Sequence, residues 1–123
     1  MELNLEIPRG HLFIRSITTD GIRVGDEYYD RPFIISRQQI INPWDVSATT
    51  DLGKVSLQPV FDLQPELVLI GCGSHQTFLP PAIQALFFQR GIGFEVMITD
   101  AACRTFNVLV AEGRNVVAGL IPA

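Results

Sequence analysis

The sequence predicts an α/β fold: a single domain of three layers around a central mixed sheet. Three observations carry that prediction. Leu67-Val68-Leu69-Ile70 is an unbroken apolar run that ends at Gly71-Cys72-Gly73. It is too short for a typical helix and shows no alternation, so it reads as a central parallel strand covered on both faces. Beyond it, apolar runs and helical patterns alternate, giving a C-terminal β-α-β-α-β unit whose crossovers make its strands parallel. Ahead of it, short apolar runs are separated by turn signals, which reads as N-terminal antiparallel hairpins.

Length and composition bound the rest. The 123 residues fit one domain, 1–123, enough for a core that buries roughly two-thirds of the unfolded surface. A hydrophobic share of 47% and a charged share of 18% describe a folded chain. The net charge of −4 draws the whole molecule neither to nucleic acid nor to anionic lipid. Arg9, Arg15, Arg23, Arg31 and Arg37 recur in the first half, but Asp20, Asp26, Glu27 and Asp30 break up any basic patch. Two cysteines make no disulfide framework. The acidic Met1–Glu6 start has no long apolar region, and no stretch approaches the ~20 residues that span a bilayer. These features lead us to expect a soluble cytoplasmic protein with no nucleic-acid partner and no membrane insertion.

In order, Leu3, Leu5 and Ile7 alternate with polar residues as an edge strand ended by Pro8 and Gly10. Leu12–Ile17 is the next strand. Thr19-Asp20-Gly21 turns it into Ile22-Arg23-Val24, and Gly25-Asp26-Glu27 turns again toward Tyr28 and Tyr29. Phe33–Ser36 and Gln39–Ile41 follow, ending at Asn42-Pro43-Trp44. Residues 45–66 are the least legible. Ser47, Thr49, Thr50 and Asp51 offer caps for a short helix, Gly53 and Pro59 argue against a long one, and Val60, Phe61 and Leu63 pack inward. After the central strand, Pro80-Pro81 and Gly91 bracket a helix with Ile83, Leu86 and Phe87 on one face. Gly93–Ile98 is a strand. Thr99 or Asp100 caps a second helix that runs through Ala102, Phe106, Leu109 and Val110 to Gly113. Val116–Ile121 is the last strand, stopped by Pro122.

The order of several motifs is specific. It comprises the Leu67–Gly73 strand and turn, Arg90-Gly91-Ile92-Gly93-Phe94-Glu95-Val96, Thr99–Asn107, and Glu112-Gly113-Arg114, with Asn42-Pro43-Trp44 ahead of them. Across nearly the whole chain this order resembles a small domain-of-unknown-function family. That family includes the mitochondrial NADH dehydrogenase (complex I) assembly factor 3 and the related adipogenesis-associated protein, and it has stand-alone bacterial members of similar length. The resemblance implies a three-layer α/β fold with a central mixed sheet. It implies no reaction; the eukaryotic members help assemble a respiratory complex through protein contacts. Cys72 stands where the family often has threonine, and no mitochondrial presequence is evident.

Candidate site residues gather at the carboxyl ends of the expected parallel strands, where open α/β sheets bind ligands. Gly71, Cys72, Gly73, Ser74 and His75 form one loop, but the pattern stops at Gly-x-Gly, short of a dinucleotide fingerprint, and no phosphate loop is present. Its plainer explanation is a tight turn against packed backbone. Cys72 and His75 have the groups for a thiolate–imidazole pair, against the plainer reading of an inert thiol. Cys103 falls early in the second helix, where the dipole and Arg104 would lower a thiol pKa; its plainer reading is a small apolar residue under the helix. Thr99 and Asp100 have a capping job, and Arg104 lies in ion-pair register with Asp100. Asn107 interrupts an apolar stretch and needs buried partners, with the turn at Gly71 as one candidate. Arg104 and the free helix N–H groups are suited to a small anion. Phe78 and Phe88 are left over from the helix face and mark a contact surface if exposed.

The reading that follows is a non-enzymatic binding or assembly module with a protein partner, no cofactor and no metal, contacting that partner beside the first of the two C-terminal helices. The alternative is a small-ligand or anion-binding domain, with a cysteine-dependent enzyme as its extreme form, sited at the 71–76 loop and the start of the second helix. A homo-oligomer fits either reading.

Overall fold

The computed structural model describes residues 10–123. The edge strand expected over Leu3–Ile7 lies outside them. The elements are β1 (Ile14–Thr18), β2 (Gly21–Val24), β3 (Glu27–Tyr29), β4 (Phe33–Ile35), β5 (Ile40–Ile41), α1 (Lys54–Phe61), β6 (Leu67–Gly71), α2 (Pro81–Phe88), β7 (Gly93–Met97), α3 (Thr99–Ala111) and β8 (Val116–Leu120). They form two sheets, an antiparallel β1-β2-β3 and a mixed five-stranded β5-β4-β8-β6-β7. β6 lies between β8 and β7 and is parallel to both; β4 joins β8 antiparallel. The fold is the α/β class expected, with antiparallel hairpins first and the parallel β-α-β-α-β unit after.

The apolar run in β6 is buried because the sheet is covered twice. Strand side chains alternate between faces. On one face Leu69, Phe33, Ile35, Ala118 and Leu120 meet α3 and the small sheet through Ala102, Phe106, Ile14 and Ile22. On the other, Val68, Ile70, Ile34 and Val117 meet α1 and α2 through Leu57, Val60, Phe61 and Phe87. Phe61 stands edge-on to Phe87 (5.3 Å), and Phe87 leans on Phe94 of β7 (4.8 Å), so one aromatic series joins α1, α2 and β7.

Residues 45–66 hold one short α-helix, α1, of eight residues. Ser56 accepts a hydrogen bond from the Gly53 N–H (2.9 Å), so the third helical residue caps the start from inside. The expected cap Asp51 works on a separate 3-10 turn, Thr49–Asp51, accepting from the Ser47 N–H at 2.7 Å. Pro59 lies inside this short helix, where it supplies no N–H to the Val55 carbonyl one turn before it. Trp44 packs under this segment, its indole N–H donating to the Ser56 carbonyl (2.8 Å). A methyl group on Gly119 of β8 would stand 2.6 Å from the Trp44 ring, so this strand position admits no side chain.

At the end of the sheet where β6 and β8 begin, the Glu66 carboxylate accepts from the Arg114 guanidinium (3.1 Å) and the Asn115 N–H (3.0 Å). The Arg114 bond first, and the Asn115 bond second, hold this carboxyl below the usual glutamate range. A carboxyl depressed on folding contributes stability above its unfolded pKa and loses it as pH falls through the folded value. Glu66→Gln is therefore expected to flatten the acid limb of stability against pH. Urea midpoints measured between neutral pH and the acid range check this; an unchanged slope contradicts it.

Candidate functional site

The loop after β6, the start of α3 and the end of β8 meet at one rim. The Thr99 side chain is fully buried there. Its hydroxyl donates to the Ile121 carbonyl (2.6 Å) and accepts from the Gly73 N–H (2.8 Å). The Thr99 N–H donates to the Gly73 carbonyl, the Cys72 N–H to the Met97 carbonyl, and the Ile121 N–H to the Gly71 carbonyl, each at 2.9–3.0 Å. Gly71 is crowded: a Cβ would lie 3.1 Å from the Thr99 hydroxyl and 3.0 Å from the end of the Leu120 side chain, so both would have to shift. Gly73 takes φ +96°, the left-handed region that favours glycine.

The shared rim places Gly71, Gly73 and Thr99 together, yet several expected roles are filled otherwise. Thr99 caps nothing; helix α3 begins at it, behind Ile98, with no side-chain cap. Its hydroxyl is spent stitching strand ends. The N–H groups of Cys72 and Gly73 are spent too, so the loop offers neither to an anion. Asp100 sets a negative charge in the first turn, which opposes an anion at the remaining α3 amides.

The thiolate–imidazole pair is not formed. The Cys72 thiol donates to the His75 carbonyl (3.2 Å), while His75 Nδ1 faces the Ser74 hydroxyl (3.0 Å). Cys103 is 1% exposed in the core, and desolvation, with Asp100 adding to it, pushes its thiol up to about 12 rather than down. Burial outweighs the helix dipole and Arg104 at that position. Asn107 ties α3 to β1, not to the Gly71 turn: its carbonyl accepts from the Ile14 N–H (2.7 Å) and its amide donates to the Ile14 carbonyl (2.8 Å). Among the described residues the ion pairs are Arg23–Asp26 and Arg114–Glu66, so Asp100 and Arg104 make none together. No group of three His, Cys, Asp or Glu side chains is gathered for a metal among those residues.

The open surface lies beside the rim. Helix α2 carries no charged residue and fully buries only Phe87. Phe78 just ahead of it is 85% exposed, and Phe88 at its end is 67% exposed. Phe88 rests against Phe94 of β7 at 5.7 Å. β7 is an edge strand of the large sheet, which periodicity alone could not reveal; the sequence signal was Glu95, an exposed charge inside an otherwise apolar strand. An open cleft of about 470 Å³ also lies beyond β5, lined by Ile41, Pro43, Trp44 and Val55 among others.

The rim analysis yields a prediction. Thr99→Val leaves the Ile121 carbonyl and the Gly73 N–H without their buried partner, and is expected to cost about 1–3 kcal/mol. Thr99→Ser keeps the hydroxyl and is expected to recover most of that. Chemical denaturation of the two variants checks it; equal stability of Thr99→Val and the parent contradicts it.

Comparison with known proteins places the fold and its relatives. The protein resembles mouse NADH dehydrogenase [ubiquinone] 1 alpha subcomplex assembly factor 3, 33% identical over 122 residues, covering 98% of this chain and 65% of that one. The bovine protein of the same name is 34% identical over 79% of this chain and 59% of its own. The chain thus spans about 60–65% of the length of these two relatives. A Francisella tularensis protein called the 13 kDa major membrane protein is 34% identical over 72% of each chain; no helix among the described residues here is long and apolar enough to cross a membrane. A crystal structure of a Bordetella parapertussis protein superposes with a TM-score of 0.86 at 30% identity, covering 94% of this chain and 99% of that one. The family model described as a protein of unknown function (DUF498/DUF598) matches residues 14–121, and the chain belongs to that family.

Proposed function

We propose that this protein is a binding module that helps assemble a larger complex and carries out no chemistry of its own. The observation that carries the reading is α2: an uncharged surface helix with one fully buried residue, flanked by the exposed rings of Phe78 and Phe88. Monomeric proteins rarely expose large contiguous apolar patches, and such patches mark protein contacts. The rim at Thr99 supports the same reading from the other side, because its polar groups are engaged with one another. The similarity to assembly factors points to protein partners as the class of ligand. A cytoplasmic location stays part of this proposal.

Affinity capture from the source organism's extract tests it. A protein partner retained by the parent and lost with Phe88→Ser, while thermal stability changes little, is the expected result; exposed substitutions usually stay within about 0.5 kcal/mol. Failure to retain any stable partner, or equal retention by parent and variant, would count against the reading.

A further inference from the structure

We infer that the partner contacts this module by adding an extended segment to the free edge of β7, with basic side chains placed beside Glu95. The inference rests on the binding-module reading and names the chemistry of its partner. The edge follows from the register. Gly93 donates to the Glu66 carbonyl and the Met97 carbonyl accepts from Cys72, so residues 93, 95 and 97 direct their backbone groups at β6. Successive residues of a strand point opposite ways. Phe94 and Val96 therefore turn their N–H and C=O groups outward. Gln76 Nε2 already donates to the Val96 carbonyl at 3.0 Å, which occupies one of its two lone pairs. Among the described residues, the Phe94 N–H, the Phe94 carbonyl and the Val96 N–H have no partner. Such a row is a template for strand addition.

Side chains select the occupant. Phe94 and Val96 lie on the α2 face, where Phe88 extends the apolar surface past the strand. Glu95 lies on the opposite face, is exposed and makes no ion pair among the described residues. A second copy is disfavoured in the register that uses both Phe94 and Val96. The antiparallel two-fold register in which both Phe94 and Val96 exchange backbone bonds is centred on Glu95, and it sets Glu95 directly against its counterpart. Like charges facing each other across a strand pair are destabilising. The same carboxylate favours a heterologous strand that alternates apolar residues toward Phe88 and Phe94 with Lys or Arg opposite Glu95.

Three capped synthetic peptides test this: alternating Lys and Val, alternating Glu and Val, and the Lys–Val sequence with alternate amides N-methylated. Binding is followed by amide NMR shifts and hydrogen exchange on the intact protein. The expected result is tighter binding of the Lys–Val peptide than of the Glu–Val peptide by at least about five-fold. The bound state should protect the Phe94 and Val96 amides, N-methylation should abolish binding, and Glu95→Lys should reverse the preference. The inference is overturned by no binding of the Lys–Val peptide, by shifts confined to another surface, by indifference to peptide charge, or by concentration-dependent protection of Phe94 and Val96 without peptide. In each of those cases a Phe88-dependent protein partner leaves the module reading standing. If no partner is retained by affinity capture, that reading fails by itself.

Discussion

One buried hydroxyl fixes the relation between the three parallel strands and the helix that crosses over them. Thr99 is the first residue of α3, and its side chain answers a donor from the β6 loop and an acceptor at the end of β8. In a water-free position each of those groups would otherwise carry a desolvation cost of about 1–3 kcal/mol. The joint therefore sets where α3 starts. Asn107, two turns further on, then lands against Ile14 and closes the small sheet onto the same face. Gly71 and Gly73 are consequences of the same joint, one through crowding and one through its left-handed backbone.

That closure separates two ends of the molecule's chemistry. The carboxyl ends of the parallel strands are where an open α/β sheet ordinarily presents a ligand site. Here the Cys72 and Gly73 amides are consumed internally, Cys103 is sealed in the core, and Cys72 and His75 turn to different partners. The unsatisfied surface has moved sideways, to uncharged α2 and the outward edge of β7. The family includes relatives named as assembly factors, and on this molecule the Thr99 hydroxyl and the Cys72 and Gly73 amides are engaged while Phe78 and Phe88 are exposed.

Much of this was legible in the residues. The Leu67–Ile70 run predicted an interior strand because both faces were apolar, and Pro80-Pro81 and Gly91 bracketed α2 because proline and glycine act locally. Phe78 and Phe88 are surplus to the α2 core face in the apolar spacing, and both are exposed. The failures came where tertiary partners decide. The α1 cap depends on Ser56 reaching back to Gly53, a signal weaker than the Ser, Thr and Asp cluster upstream of it. Thr99 looked like a cap because its sequence neighbours are helical, whereas its hydrogen-bond partners are 22 and 26 residues away. Cys103 sits where a dipole would act on an exposed thiol, but burial is set by the sheet beneath it. The edge position of β7 is a property of strand order, and the charge at Glu95 is its one local trace.

Amide hydrogen exchange, resolved residue by residue, tests the contrast between shut rim and open edge most directly. The Cys72, Gly73 and Thr99 amides should exchange only through global unfolding, while those of Phe94 and Val96 should exchange orders of magnitude faster in the free protein. Rapid exchange at Gly73, or protection of Phe94 and Val96 equal to that of β6, would contradict the account.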